Sequence, residues 1–268
     1  MNQAFNVLTQ TKNGVMLVNK NDTFIGKSLI KYGEISDAEN QLYLQLCNEG
    51  DVVVEAGANI GVHSLTIAKA LGSSGILYCY EPQRIVFQTL NANLALNSIT
   101  NTITYHSALG NSNTPLVIPE LTYHVNNNFG GVSLSEKNKG EKVSQFKLDE
   151  HLHLKKINLF KIDVEGMEIE TILGAKASIQ KYKPILYCEN DRIEKSQELI
   201  ELIFSLGYKI FWHLPPLFNP NNINNIHENI FKNLVSVNML CIPHEARIQL
   251  KNFVEVKSSS EHPMRKEQ

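Results

Sequence analysis

The stretch D-V-V-V-E-A-G-A-N-I-G, residues 51–61, decides the fold, because an apolar run leads directly into a glycine turn. Residues 52–54 form a β-branched run, which is typical of a strand that is covered on both faces in a parallel sheet. Gly57 and Gly61 lack a Cβ, so the backbone can turn tightly and approach a ligand closely. From Val62 onward, apolar residues recur at helical spacing. The stretch therefore predicts a strand, a turn and a helix whose amino end faces a ligand.

The next apolar strand ends in Y-C-Y-E-P, residues 78–82, and so places the acid Glu81 at its carboxyl end. An acid at this position can accept hydrogen bonds from both hydroxyls of a ribose. Dinucleotide-binding enzymes also carry such an acid, but they need G-x-G-x-x-G where this chain has G-A-N-I-G. Glu55 suits the ammonium and sulfonium groups of S-adenosylmethionine better than it suits a pyrophosphate. We therefore expect S-adenosylmethionine as the cofactor. Its candidate binding residues are Glu55, Gly57, Asn59, Gly61, Glu81, Pro82 and Asp163.

The composition is that of one enzyme-sized domain, since 268 residues with 43% hydrophobic and 19% charged side chains can bury a full core. A net charge of -2 without a long basic run argues against a nucleic-acid partner. The first ten residues lack the apolar region of a signal peptide, and no later apolar segment reaches the length of a membrane span. We therefore expect a cytoplasmic protein without a membrane partner, of unknown oligomeric state. Free, buried thiols are expected at Cys47, Cys79, Cys188 and Cys241.

Strand and helix patterns alternate along most of the chain. This alternation predicts an α/β fold with a doubly wound, mostly parallel, seven-stranded sheet and helices on both faces. The strands are expected near residues 52–56, 76–81, 103–107, 157–163, 184–189, 208–212 and 234–242. Helices are expected near residues 62–71, 83–97 and 193–206.

The domain organisation follows from the same patterns. Residues 1–35 are interpreted as an amino-terminal lead, residues 36–256 as the enzyme domain and residues 257–268 as a frayed polar tail. Ser36 and Glu39 predict a capping box at the start of the first helix of the enzyme domain.

Two long insertions interrupt the domain, near residues 110–142 and 213–233, and we interpret them as ordered walls of the substrate site. The candidate acceptor-binding residues are Phe129, Gly130, Trp212 and His213.

Four motifs resemble the FkbM family of methyltransferases. They are E-A-G-A-N-I-G, Y-E-P, F-G-G-V-S at 129–133 and L-F-K-I-D-V-E-G-M-E-I-E-T-I-L-G-A at 159–175. The resemblance implies a class I, Rossmann-like methyltransferase that uses S-adenosylmethionine and, most often, O-methylates hydroxyls of sugars or polyketides in natural-product or glycan assembly. Glu55 stands where the family commonly has aspartate, which is a conservative change. The acceptors of the family vary, so the resemblance names none for this chain.

The segment K-I-D-V-E-G, residues 161–166, is where we look for chemistry. Lys161 and Asp163 share one face of the predicted fourth strand, because side chains alternate along a strand. Charged residues in a central strand are costly unless they are paired or functional, so an ion pair and a catalytic role both stay open. Transfer of a methyl group to an alcohol also requires removal of its proton by a nearby base. The candidate catalytic residues are Asp163, Glu165, Lys161, Glu189 and His213.

A metal site is considered but not assigned. Asp163 and the pair Glu189-Asn190 end neighbouring predicted strands and offer oxygen ligands of the kind that suits magnesium, an arrangement that resembles catechol-type methyltransferases. Asn190 can equally cap the following helix. The sequence therefore predicts S-adenosylmethionine as the cofactor and leaves a metal open, although a metal is not favoured.

Three classes of function remain open. The first is O-methylation of a small natural product or sugar, and the second is N-methylation of an amide, amine or peptide acceptor. The third is a donor-binding protein without catalysis, which the charged segment at 161–166 disfavours. Methylation of a nucleobase is disfavoured because D-V-E-G stands where [DN]-P-P-[YF] is expected. The expected partner is therefore a small-molecule, glycan or peptide acceptor.

Overall fold

The fold is described from a computed structural model, which covers residues 4–131, 139–248, 250 and 253–265. Its strands are β1 (Asn6–Thr11), β2 (Gly14–Asn19), β3 (Val52–Ala56), β4 (Ile76–Tyr80), β5 (Thr102–Tyr105), β6 (Ser107–Leu109), β7 (Leu116–Pro119), β8 (Gly140–Phe146), β9 (Leu159–Ile162), β10 (Ile185–Glu189), β11 (Tyr208–His213), β12 (Asn238–Pro243) and β13 (Val254–Glu255). Its helices are α1 (Ile25–Tyr32), α2 (Asp37–Leu46), α3 (Val62–Leu71), α4 (Arg84–Leu96), α5 (Leu148–His151), α6 (Glu168–Gly174), α7 (Lys176–Tyr182) and α8 (Ile193–Ser205).

The main sheet has the strand order β5-β4-β3-β9-β10-β12-β11-β13. The five strands from β5 to β10 pair in parallel, and β12 pairs antiparallel with both β10 and β11. The first strand of this sheet along the chain, β3, therefore lies in its middle. β4 and β5 follow on one side of β3 and β9 and β10 on the other, so the strand order reverses between β3 and β9. Ligands of open α/β sheets bind outside the carboxyl ends of the strands at such a switch point.

The predicted α/β class with a mostly parallel sheet is confirmed, and the strand count needs a correction. The described residues form eight strands in the main sheet, because the two-residue strand β13 pairs with the edge of β11 at Phe211 and Trp212. So short a segment has no hydrophobic periodicity that a sequence pattern can reveal.

Both faces of the sheet are covered. Val54, Phe160 and Leu186 belong to a core on one face, which also contains residues of α6, α7 and α8. Val53, Leu159 and residues of α2, α3 and α4 form the core on the other face. Neighbouring residues of β3 and β9 thus face alternate cores, as expected of strands that are covered on both faces.

The first part of the chain packs onto the sheet domain. β1 and β2 form an antiparallel hairpin, and Asn93 of α4 binds the backbone of Leu17 through both its amide oxygen and its amide nitrogen. The structure also places helix α1 in the segment 1–35, where the sequence analysis expects only short β-like pieces.

The insertion near 110–142 contains β7 and part of β8, which form a second small sheet with β6. Residues 132 and 133 of the F-G-G-V-S motif lie outside the described residues. All four cysteines are free and buried, as predicted. Among the described residues, no helix combines the length and the apolar character that crossing a membrane requires.

Candidate active site

A cavity of about 250 Å³ opens at the carboxyl ends of β3, β4, β9 and β10. Its wall combines the glycine turn after β3, the loop after β4, the segment after β9 and residues of α2 and α3. Most of the candidate residues from the sequence meet here. Those that line the cavity are Gly57, Asn59, Glu81, Pro82, Gly130, Lys161, Asp163, Glu165 and Glu189.

The turn after β3 brings two backbone segments into close contact. Gly57 has φ +79°, and a Cβ at this position would lie 1.7 Å from the carbonyl oxygen of Asp163. Only glycine fits such a contact in the left-handed region. Gly61, with φ +89°, precedes the first turn of α3. The turn is therefore shaped by the neighbouring strand end as well as by its own backbone.

Glu81 is held by the backbone of two loops. Its Oε2 accepts a hydrogen bond from the Asn59 N–H at 2.9 Å, and its Oε1 accepts one from the Gln83 N–H at 2.8 Å. Burial raises the pKa of Glu81 to about 7, although these two N–H groups favour the charged form. Each carboxylate oxygen keeps a second lone pair, so Glu81 can still accept hydrogen bonds from a ligand.

Glu55 lies behind the cavity wall. Its side chain is fully buried, its Oε2 accepts a hydrogen bond from the Ser64 hydroxyl at 2.5 Å, and its Oε1 lies 3.5 Å from the Lys161 ammonium. The sequence-based expectation of a direct contact between Glu55 and the cofactor is thus corrected. Glu55 points from β3 toward the neighbouring strand β9, where Lys161 is its partner in the parallel register.

Lys161 forms the ion pair with Asp163 that the sequence leaves open, with 3.2 Å between Nζ and Oδ2. Its side chain is 1% exposed and lines the cavity. Burial alone would lower the pKa of Lys161, but the carboxylates of Asp163, Glu55 and Glu39 raise it above its ordinary value. Lys161 therefore stays protonated at neutral pH and cannot act as a base.

Asp163, Glu165 and Glu189 form an acidic cluster, in which one oxygen atom from each residue lies within 4.8 Å of the others. Glu165 has a left-handed backbone with φ +55°, and its carboxylate also accepts a hydrogen bond from Arg192 at 3.0 Å. The Oε2 atom of Glu189 is buried without a hydrogen-bond partner among the described residues. The cluster therefore concentrates carboxyl groups on one side of the cavity.

Protonation of the cluster reflects this crowding. Burial and the charges of Asp163 and Asp191 raise the pKa of Glu165 to about 8, against the opposing effect of Arg192. Burial and the charges of Asp163 and Glu165 raise the pKa of Glu189 well above its ordinary value. In both residues, burial and crowding therefore favour the neutral carboxyl group over the charged one.

Trp212 and His213 do not line the cavity, in contrast to the expectation from the sequence. Trp212 belongs to a hydrophobic core and packs edge-on against His262. His213 is hydrogen-bonded through Nδ1 to the Tyr187 hydroxyl at 2.7 Å, and burial lowers the pKa of His213 to about 4. Both residues end β11, which lies beyond β12, and the order of these two strands cannot be read from the sequence.

Of the two remaining acceptor-binding candidates, Phe129 does not line the cavity, whereas the next residue, Gly130, does. Phe129 is buried and stacks on Tyr123, while its carbonyl accepts a hydrogen bond from the Gln83 amide at 2.8 Å. Asn190 donates from its amide to the Ser196 hydroxyl of α8 at 3.0 Å. The N-cap residue of α8 is Arg192, without a side-chain capping bond, so the capping role considered for Asn190 is not observed.

Sequence reasoning missed several polar residues of the cavity wall, and Glu39, His63, Gln83 and Asn238 are four of them. Glu39 is interpreted there as half of a capping box, but Ser36 makes no side-chain capping bond, and Glu39 lies 3.7 Å from His63. His63 lies in the first turn of α3, and burial followed by the charge of Lys161 lowers its pKa well below its ordinary value.

Gln83 and Asn238 each have a buried side-chain atom without a hydrogen-bond partner among the described residues, namely Oε1 and Nδ2. Asn238 is the register partner of both Glu189 and His213. Unpartnered groups of this kind are rare in folded proteins and mark a place where a ligand or water binds. For Asn238, only the strand order could have revealed its place beside Glu189.

Comparison with known proteins gives one family match. Residues 55–210 match the model of the Methyltransferase FkbM domain. The chain is also 23% identical over 168 residues to Methyltransferase 1 of Beauveria bassiana (strain ARSEF 2860), which covers 53% of this chain and 67% of that protein.

Solved structures give weaker matches. One is the methyltransferase FkbM from Methylobacillus flagellatus KT, with 17% identity, a TM-score of 0.49 and coverage of 76% of this chain. The chain spans 50% of the length of that protein. Another is an S-adenosylmethionine-dependent O-methyltransferase from Thermotoga maritima, with 12% identity, a TM-score of 0.47 and coverage of 91% of this chain and 94% of that one.

Proposed function

The chain belongs to the Methyltransferase FkbM domain family, whose model matches more than half of it, and from this premise we propose that it transfers the methyl group of S-adenosylmethionine to a hydroxyl of a small natural product or sugar. Glu81 carries the proposal, because its carboxylate is fixed at the cavity wall by the N–H groups of Asn59 and Gln83. A carboxylate held in this way is prepared to accept hydrogen bonds from two neighbouring ribose hydroxyls.

The wall around Glu81 fits a nucleoside. Gly57 lines the cavity, and its missing Cβ lets the turn pack against the Asp163 carbonyl. Gln83, close to Glu81 in sequence, has an unpartnered acceptor atom, Oε1, among the described residues. Pro82 closes the same side of the wall. These residues bind and orient the donor, so that its reactive end extends toward the carboxyl end of β9.

The charges of the cavity favour a positively charged ligand. Among the described lining residues there are five carboxyl groups and one ammonium group, that of Lys161. Bound S-adenosylmethionine supplies an electrophilic methyl group on a positively charged sulfonium. Carboxylates in a partly buried cavity stabilise positive charge more strongly than they would in water. The five carboxyl groups are those of Glu39, Glu81, Asp163, Glu165 and Glu189.

We place the acceptor beside the acidic cluster of Asp163, Glu165 and Glu189. Methyl transfer is an in-line displacement, so the wall has to align the acceptor oxygen with the methyl group. A hydroxyl acceptor also has to lose its proton, and the acidic cluster is the group of the cavity that can promote this loss. Lys161 holds Asp163 in place but remains protonated, so its role is to position rather than to accept a proton.

Incubation of the purified chain with methyl-labelled S-adenosylmethionine and a fractionated extract of the source cells tests the proposal. We expect one labelled product, in which mass spectrometry locates the methyl group on an oxygen. Glu189→Gln should slow the transfer by about 10²–10⁴-fold if the cluster promotes loss of the hydroxyl proton. The matched control is Glu198→Gln on the exposed side of α8, which should transfer at the wild-type rate.

Two results would contradict the proposal in different ways. A methyl group located on nitrogen would replace the acceptor class with an amide, amine or peptide and keep the donor assignment. Absence of any labelled product, together with failure to bind S-adenosylhomocysteine, would remove the donor assignment itself.

A further inference from the structure

We propose that Asp163, Glu165 and Glu189 bind one divalent metal ion of the magnesium class at the cavity wall. Asp163 and Glu189 end neighbouring predicted strands and are candidate ligands from the sequence, and the folded structure adds Glu165 to them. The binding of the ion stands on the geometry alone, whereas its use in catalysis rests on the proposed function.

The three carboxyl groups are close enough to share an ion. One oxygen from each lies within 4.8 Å of the other two. Magnesium and calcium bind oxygen atoms at about 2.0–2.6 Å, so oxygens on opposite sides of one ion lie about 4–5 Å apart. The ligand atoms are all carboxylate oxygens, which hard divalent cations prefer.

The protein neutralises only part of this charge. Lys161 binds Oδ2 of Asp163 at 3.2 Å, and Arg192 binds Oε2 of Glu165 at 3.0 Å. The second oxygen of each carboxylate is left for another ligand. Glu189 has neither a lysine nor an arginine within ion-pair distance among the described residues, so the protein gives this carboxyl group no cationic partner.

A second observation points to a ligand at the same place. Oε2 of Glu189 is buried and accepts no hydrogen bond from the described residues. Its register partner Asn238 is 4% exposed, lines the same cavity and has an unpartnered Nδ2. Side chains of directly opposite residues in an antiparallel pair lie on one face about 5 Å apart. A metal ion would satisfy the carboxylate oxygen, and Asn238 would donate to one of the remaining oxygen ligands of the ion.

The cluster is also built on firm supports. Asp163 and Glu189 lie at the ends of the paired strands β9 and β10, and the Asp163 N–H is bound to the Ala56 carbonyl at 3.0 Å. Sites on strand ends hold their ligands more precisely than sites on loops. If the chain is a hydroxyl methyltransferase, an ion here would favour loss of the hydroxyl proton by lowering its pKa.

Binding of manganese to the metal-stripped full chain tests the inference without any methyl acceptor. Electron paramagnetic resonance should show one bound Mn²⁺ per chain, which Mg²⁺ displaces in competition. Glu189→Gln keeps the shape of the side chain and should weaken Mn²⁺ binding by about tenfold or more, since even residues outside the ligand shell matter by 10–100-fold. Glu198→Gln should bind Mn²⁺ like the wild type, because its carboxylate is on an exposed helix face.

Asp163→Asn provides a second variant in case Glu189→Gln does not fold, and circular dichroism checks both. The inference is overturned if Mn²⁺ does not bind saturably at millimolar concentration, with or without S-adenosylhomocysteine. It is also overturned if the folded variants bind Mn²⁺ as tightly as the wild type. Displacement by Ca²⁺ but not by Mg²⁺ would likewise contradict the magnesium class. Binding of S-adenosylhomocysteine to the metal-stripped chain keeps the proposed function intact in each of these cases.

Discussion

Two carboxylate sites lie at the same edge of the sheet and are built in opposite ways. Glu81 accepts two backbone N–H groups from the loops on either side of it and is held in one position. The cluster of Asp163, Glu165 and Glu189 instead brings like charges together and leaves an oxygen of Glu189 without a partner. The Glu81 carboxylate thus has hydrogen-bond partners within the protein before a ligand binds, whereas the acidic cluster has an oxygen atom that a ligand would satisfy.

The difference teaches how each site depends on the fold. The Glu81 site requires one β-turn-α unit and the following strand end, so its parts come from a short piece of chain. The acidic cluster requires β9 and β10 to be neighbours, and Asn238 joins it because β12 inserts next to β10. We therefore expect substitutions at the two sites to separate donor binding from the chemistry on the acceptor side.

The largest effect is expected from Lys161→Met, which should lower the free energy of unfolding. The substitution removes the ammonium group beside the acidic cluster and leaves the buried Glu55 without the cation that lies 3.5 Å from its Oε1. Breaking a buried ion pair in this way costs about 3–5 kcal/mol. Chemical denaturation measures the loss. Adding Glu55→Gln to Lys161→Met should recover part of it, because glutamine still accepts the Ser64 hydrogen bond without a buried charge. Equal stability of the single and double variants would show that Glu55 is not paired with Lys161.

A smaller effect is expected on the donor side from Gly57→Ala compared with Gly50→Ala. Both positions have positive φ, +79° and +85°, so both alanines share the penalty of the left-handed region. Only the Cβ at Gly57 would meet a backbone atom, at 1.7 Å, whereas at Gly50 the nearest atom is 3.4 Å away. Overpacking adds about 1–3 kcal/mol. Gly57→Ala should therefore unfold at lower urea concentration than Gly50→Ala and lose donor binding. Identical unfolding of the two variants would contradict the close contact.

The pH dependence of donor binding should distinguish the two sites further. The pKa of Glu81 is about 7 in the folded protein, mainly because of burial, and its ordinary value is 4.5. The folded state thus holds the proton more tightly, and Glu81 makes the ligand-free protein less stable as pH rises from 4.5 to 7. Ribose hydroxyls donate to the charged form, so S-adenosylhomocysteine should bind more tightly as pH rises through 7, by up to about tenfold per pH unit below that value.

Glu81→Gln should reduce the pH dependence of protein stability and the pH dependence of S-adenosylhomocysteine affinity. Calorimetric titration at several pH values measures the change in affinity. An unchanged slope in Glu81→Gln would assign the titration to another group of the cavity. Glu39, whose pKa burial also raises to about 7, would then be the next residue to replace.

The sequence predicts the parts of the site that depend on local patterns. The glycine turn at Gly57, the acid Glu81 after the next strand, and the shared face of Lys161 and Asp163 follow from strand and helix periodicity. The predicted helices and strands near these residues also match the observed ones closely. Each of these features lies within a short stretch of sequence, so local patterns are enough to predict it.

The parts that were missed depend on which strands become neighbours. Trp212 and His213 sit on β11, which is separated from β10 by β12, so they do not reach the cavity. Glu39 is buried on the inward face of α2 together with Asn40, Leu42 and Tyr43, and the capping pattern predicts the wrong role for its side chain. Asn238 carries no pattern of its own. Tertiary packing determines such contacts, and local sequence propensity does not predict tertiary packing.

Ligand-induced stabilisation by S-adenosylhomocysteine tests the central claim most directly. At a free concentration of about 100 times its dissociation constant, the ligand should raise the free energy of unfolding of the wild-type chain by about 2.7 kcal/mol, because it binds only the folded state. Glu81→Gln should lose most of this shift at the same ligand concentration at pH 8, while Glu198→Gln keeps it. Equal stabilisation by NAD, or an undiminished shift in Glu81→Gln, would contradict the assignment of this cavity to the methyl donor.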